Sequence, residues 1–181
     1  MSHQLTLVER ITRICDALDR SGIPWALGGA LALAYATREP RGTRDIDVNV
    51  FVEASDAARV FAAFPSGVRF GEADITAARN DDQVRLWWDT TPVDVFFAAE
   101  RFHHDVATRC RTVPFEGRSI RVLCAEDLAV FKAMFDRTKD WADIEAMVDS
   151  DAIDLATAAD RLERVLGPDT RVERLRGLDR R

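Results

Sequence analysis

Ile23-Pro24-Trp25-Ala26-Leu27-Gly28-Gly29-Ala30-Leu31-Ala32-Leu33, a polar loop over 37–44, and then Asp45-Ile46-Asp47-Val48-Asn49-Val50-Phe51-Val52 form the stretch from which the fold is read. Residues 23–27 read as a short buried strand that Gly28-Gly29 breaks, and Ala30 to Ala36 has helix-forming composition. The loop holds Pro40, Gly42 and three arginines (Arg38, Arg41, Arg44). Strict alternation then takes over. Asp45, Asp47, Asn49 and Phe51 share one face, and Ile46, Val48, Val50 and Val52 share the other, as a strand buried on at least one side requires.

Outward from this stretch, Leu5, Val8, Ile11, Cys15 and Leu18 repeat at helical spacing, and Ser21-Gly22 ends that helix. A second helix is expected over 54–64 with Ser55 as N-cap. Gln83 to Trp88 and Val93 to Phe97 are apolar runs joined by residues 89–92, a hairpin pattern. Residues 110–115 and 119–123 flank Glu116-Gly117-Arg118 as a second hairpin. Helical spacing covers 126–135, 139–148 and 155–166, and Gly167-Pro168 closes the last. In the tail, Val172, Leu175 and Leu178 are spaced for one more turn or two. With no internal repeat and no linker, the expectation is one domain over 1–181. It has a core over 23–123 and a helical part over 125–167, in the α/β (α+β) class: a mixed sheet flanked by helices with a C-terminal helical layer.

The 181 residues are 47% apolar, enough for a core, and carry a formal charge of −6. That balance argues against a general polyanion binder. The longest apolar run, 23–36, falls short of the ~18 residues that span a bilayer, and the N-terminus lacks a signal peptide's pattern. A cytoplasmic protein without membrane contact is therefore expected. Cys15, Cys110 and Cys124 contain no close pair and read as small hydrophobes rather than disulfides or zinc ligands. Neither His3 nor His103-His104 makes a metal motif.

The chemistry lies with the acids. Residues two apart on a strand lie roughly 6.5–7 Å apart on one side, so Asp45 and Asp47 can converge on a divalent cation. Hard oxygen donors suit Mg²⁺ or Mn²⁺. A calcium loop is excluded because Val50 stands where glycine is required. Two solvated aspartates at a strand start are the plain alternative. A third acid shifts the balance: Asp94 sits inside the apolar run 93–97, where a carboxylate is costly unless paired or metal-bound. Should that strand lie beside the Asp45 strand, Asp94 completes a three-carboxylate cluster able to accept a proton from an attacking hydroxyl. Gly28-Gly29 ahead of a helix lets phosphate approach backbone N–H groups.

Only two of 25 cationic side chains are lysine, Lys132 and Lys139. A compact ammonium suits phosphate as a point charge, so a phosphate contact is expected of Lys132, with a helix-surface lysine as the plain alternative, while Lys139 could pair with Asp143 four residues on. Trp87 and Trp88 point to opposite faces, one toward the core and one open to stacking on a base.

The pattern of Gly-Gly turn, Asp-x-Asp strand and later strand aspartate resembles the nucleotidyltransferase superfamily that includes DNA polymerase β and the aminoglycoside nucleotidyltransferases. Gly28-Gly29-Ala30-Leu31-Ala32-Leu33 and Arg41-x-Thr43-x-Asp45-x-Asp47 look most like the AbiEii branch, the toxins of abortive-infection toxin–antitoxin pairs. Lys132, Arg137, Lys139, Asp140 and Asp143-Ile144 follow that branch's later motif in order. Gly29 stands where many relatives have a phosphate-holding serine, and the chain is shorter than typical members. The resemblance implies a metal-dependent transfer of NMP from an NTP such as ATP. Asp45, Asp47 and Asp94 would be metal ligands and catalytic residues, with Gly28, Gly29, Arg41, Thr43, Arg44 and Lys132 on the nucleotide. The implied acceptor is RNA or protein, with an antitoxin as partner. A small-molecule acceptor of aminoglycoside type, suited to an acidic protein, and a catalytically idle binding module are the alternatives.

Overall fold

The computed structural model describes residues 4–178, so His3 lies outside the described residues. The chain divides into two compact units. One comprises Met1–Gly28 with Gly42–Val122; the other comprises Gly29–Arg41 with Leu123–Arg181. The helical unit thus takes in the helix after the Gly-Gly turn as well as the C-terminal helices.

The first unit opens with α1 (Leu7–Ser21). Thr6 accepts the Glu9 N–H while the Glu9 carboxylate takes the Thr6 N–H, a reciprocal cap. Gly22, at φ 69°, turns the chain out of the helix in the left-handed conformation that glycine adopts without a Cβ clash. Ile14, Cys15 and Leu18 carry its buried face. Strand β1 (Trp25–Leu27) follows; the next helix, α2 (Gly29–Thr37), belongs to the second unit. Then come β2 (Ile46–Val50), a 3₁₀ turn (Ala54–Asp56), α3 (Ala57–Ala63), β3 (Val68–Arg69), α4 (Glu72–Asp81), β4 (Gln83–Trp88), β5 (Thr91–Phe96), α5 (Arg101–Arg109), β6 (Arg111–Phe115) and β7 (Arg118–Val122).

The strands form one mixed sheet in the order β3-β4-β5-β2-β1-β7-β6. The β2–β5 and β1–β7 pairs are parallel and the others antiparallel. The expected α/β class with a mixed sheet is what the chain adopts. The Gly28-Gly29 turn leaves an interior strand of that sheet, β1. Both hairpins form, with Pro114 on the edge strand β6, where a missing N–H is tolerated. The turn of the first hairpin is shorter than the expected 89–92. Trp88 pairs with Thr91, leaving only Asp89-Thr90 as the connection. Pro92 fits inside β5 because pairing with β2 begins one residue later, at Val93.

Helices α4 and α5 and strand β3 lie outside the expected elements, and the helices' patterns are weak: α4 buries Ile75 and Ala78 and α5 only Val106. The helix expected over 54–64 begins as a 3₁₀ turn, and Ser55 is not its N-cap; Asp56 holds that place ahead of α3. Gly67, just ahead of β3, lies against the Trp88 indole, and a Cβ there would overlap the ring. Trp88 is 4% exposed and cannot swing away. Gly67→Ala is accordingly expected to lower stability by about 1–3 kcal/mol, read as a lower Tm in thermal denaturation; an unchanged Tm would mean that the ring yields.

In the second unit, α6 (Ala125–Phe135) packs against α2, α7 (Thr138–Asp149), α8 (Leu155–Leu166) and α9 (Thr170–Gly177). The tail is thus a full helix. Asp169 caps it by accepting the Arg171 N–H at 2.8 Å, and Arg171 also donates to the Met134 carbonyl at 3.2 Å. Val172 and Leu175 are buried, and the Arg174 guanidinium lies 4.0 Å from the centre of the Trp141 ring. No helix among the described residues is long and apolar enough to cross a membrane.

Candidate active site

In the sheet unit, the acids meet by register. Asp47 on β2 stands directly beside Asp94 on β5 in the parallel pair, and Asp45 lies two residues before Asp47. Thr43 builds the approach: its hydroxyl accepts the Asp45 N–H at 3.2 Å and donates to the Asp45 carbonyl at 3.2 Å. The Gly28 N–H donates to the Asp47 carbonyl at 2.9 Å, tying the glycine turn to the strand that carries the acids. Gly29 has φ 51°, which a side chain would strain. Alternation leaves Asp94 half-buried between the buried Val93 and Val95. Asp94 is thus on the strand neighbouring Asp47 and on the same face, as the three-acid pattern requires.

The structure adds a residue that sequence reasoning missed. Arg85 on β4 pairs directly across from Asp94. Its Nε donates to Asp94 Oδ1 and its Nη2 to Asp94 Oδ2, each at 2.7 Å, and Nη2 lies 3.6 Å from Asp45 Oδ2. The hydrogen bonds it donates to Asp94, helped by the charges of Asp94, Asp45 and Asp47, push the guanidinium further toward its charged form. The signal was in the turn length. A four-residue connection over 89–92 would set Trp87 opposite Asp94, whereas the two-residue connection sets Arg85 there. Trp87, on the Arg85 side of β4, is 45% exposed and Trp88 is core, as their opposite faces require. Phe96 is half-buried on the face of Asp94.

The carboxylates fit a hard divalent cation in kind, and the Arg85 guanidinium marks a position where a positive charge is held by two of them. They are not a ready-made cage. Among the described residues no group of three or more His, Cys, Asp or Glu side chains is spaced to hold a metal ion. Other nucleophiles are ill suited: burial pushes the Cys15 and Cys124 thiols up to about 12, so both are neutral at pH 7. Burial likewise lowers the His103 pKa.

In the helical unit, the expected phosphate ligands are engaged elsewhere. Lys132 is 8% exposed, and its Nζ donates to Asp143 Oδ2 at 2.6 Å and lies 3.7 Å from Asp140 Oδ1. Arg41 also pairs with Asp143, and Arg137 donates to Asp140 at 2.6 Å. In this structure Lys132 therefore makes an internal ion pair rather than presenting a free ammonium to phosphate, and Asp143 is taken by Lys132 and Arg41 rather than by the exposed Lys139. Helix geometry explains this: α6 and α7 pack together, which brings Lys132 to Asp143 from the neighbouring helix. Lys132→Ala should then cost about 2 kcal/mol, a Tm lower by roughly 4–8 °C for a chain of this size. A variant as stable as the parent would free the lysine for a ligand. Arg44 is exposed at the end of the polar loop.

A mixed sheet with an Asp-x-Asp strand, a neighbouring strand aspartate and a glycine turn defines the nucleotidyltransferase class. Residues 4–166 match the family described as "Nucleotidyltransferase of unknown function (DUF6036)", and the chain belongs to that family. Among solved structures, ANT(2")-Ia in complex with adenylyl-2"-tobramycin is similar over 96% of each chain, with 17% identity and a TM-score of 0.58. The lincomycin-bound lincosamide antibiotic adenylyltransferase LnuA matches 80% of this chain and 98% of its own, at 13% identity and a TM-score of 0.54. An antigenic nucleotidyltransferase-like protein from Paracoccidioides brasiliensis matches 92% of this chain and 90% of its own, at 16% identity and a TM-score of 0.51. At these identities the likeness is one of fold. No curated protein matches the sequence.

Proposed function

We propose that the protein transfers an NMP from an NTP to an acceptor hydroxyl, with a divalent cation, Mg²⁺ or Mn²⁺, held by Asp45, Asp47 and Asp94. The observation that carries this reading is the side-by-side register of Asp47 and Asp94 with Asp45 two residues away. A bound divalent cation would neutralise triphosphate charge and polarise the α-phosphate. The acceptor oxygen attacks the α-phosphorus, the bond to the β-phosphate oxygen breaks, and pyrophosphate leaves. Asp94 takes the hydroxyl proton. Thr43 holds Asp45 in place, and Arg44 offers an exposed cation to the triphosphate. The Gly28 N–H is bonded to the Asp47 carbonyl, so Gly28 holds the strand that carries the acids. Arg41 and Lys132, both paired with Asp143, serve the helical unit instead.

For the acceptor, the charge of −6 favours a small cationic, hydroxyl-bearing molecule. The antibiotics bound to two proteins of similar fold are of the small-molecule class. A second reading, a toxin that modifies RNA or protein and is held in check by an antitoxin, is supported by the ordered run Lys132, Arg137, Lys139, Asp140. Incubation with labelled NTPs and Mg²⁺ tests both, with aminoglycosides, total RNA or protein extract as acceptor. Label on the aminoglycoside is the expected result, label on RNA or protein favours the toxin, and no EDTA-sensitive transfer to any acceptor would overturn the proposal.

A further inference from the structure

Arg85 has no place in the reaction as drawn, yet it occupies both oxygens of Asp94. A carboxylate that accepts two hydrogen bonds from one planar guanidinium has its metal-facing lone pairs engaged. We propose that Arg85 is the resident counter-cation of the carboxylate site, and that Arg85 and a divalent metal ion exclude one another at Asp94. This rests on the metal-dependent reading above and adds to it how the ion gains access.

Three carboxylates at neighbouring sheet positions repel one another unless a cation lies among them. Arg85 meets that need in the absence of metal: it is opposite Asp94 by register and within 3.6 Å of Asp45. Its side chain is 50% exposed, so it can swing off Asp94 without disturbing the core beneath. The guanidinium stays charged at any working pH, so only a competing cation, not proton loss, releases it. Metal alone must break two charge-assisted bonds and leave Arg85 without a partner. Metal arriving with a nucleotide brings the triphosphate as a new anionic partner for the freed guanidinium. Arg85 thereby couples metal loading to nucleotide loading, and the coupling acts equally in both directions.

The test is Mn²⁺ binding by calorimetry without nucleotide, on the full chain. Arg85→Gln is expected to bind Mn²⁺ at least about tenfold more tightly than wild type. In an Asp94→Asn background, the same substitution should change affinity by less than about threefold, because the contested carboxylate is gone. Arg85→Lys, which keeps the charge but loses the two-point contact, should fall between wild type and Arg85→Gln and carries the test if the glutamine variant does not fold. Mn²⁺ binding of equal strength in wild type and the Arg85 variants would overturn the exchange alone. So would a tenfold gain that persists with Asp94→Asn, which would mark a general charge effect. Absence of Mn²⁺ binding in every variant would overturn the metal-dependent reading and the exchange with it.

Discussion

Asp45→Asn and Asp47→Asn are each expected to lower NMP transfer by at least about a thousandfold, or ~4 kcal/mol of transition-state stabilisation, with the fold intact. The asparagine keeps the shape of the side chain and removes the charge. Asp45 is 42% exposed and Asp47 half-buried, so losing a charge there trades some attraction to Arg85 for less repulsion among the acids. Thermal stability should therefore stay nearly level, and circular dichroism should be unchanged. The measurement is transfer of label from an NTP to an acceptor that the wild type modifies, alongside a melting curve for each variant. Wild-type turnover in the double variant would remove both acids from the chemistry. A collapse of the melting transition would instead mark them as structural.

The second large effect belongs to stability. Asp127 on α6 is fully buried, and its carboxylate is held by Arg161 Nη1 at 2.9 Å and by the Cys124 thiol at 3.2 Å. Arg161 reaches it from α8, so this ion pair ties two helices of the second unit. Removing the arginine leaves a buried carboxylate without its counter-charge, which typically costs about 3–5 kcal/mol. Arg161→Met, which keeps much of the aliphatic packing, should lose about 3 kcal/mol, a Tm lower by roughly 6–12 °C. The double variant Arg161→Met/Asp127→Leu should recover most of that loss, since neither charge remains to be solvated. Urea denaturation of both variants checks this, and a single variant as stable as the parent would show that the pair contributes nothing net.

What the sequence by itself determined was local. The alternation over 45–52, the apolar run around Asp94 and the Gly28-Gly29 break place the acids and the turn on their elements, because period-two burial and glycine's conformational freedom act between near neighbours. The helical spacing over 126–135, 139–148 and 155–166 is recovered within a residue or so in α6, α7 and α8 for the same reason. The weakly patterned α4 and α5 left no such trace, since few of their side chains are buried. Tertiary structure alone decided which side chains meet. Parallel pairing of β2 with β5 brings Asp47 beside Asp94 across more than forty residues of intervening chain, a register that no local rule fixes. The two-residue turn at Asp89-Thr90 selects Arg85 rather than Trp87 as the partner of Asp94, since lengthening a hairpin turn by two residues shifts every cross-strand pair. Lys132 follows the same logic. Its place on a helix is legible in the sequence, but the neighbouring helix supplies Asp143 and Asp140, and a buried ammonium takes the carboxylates it finds there.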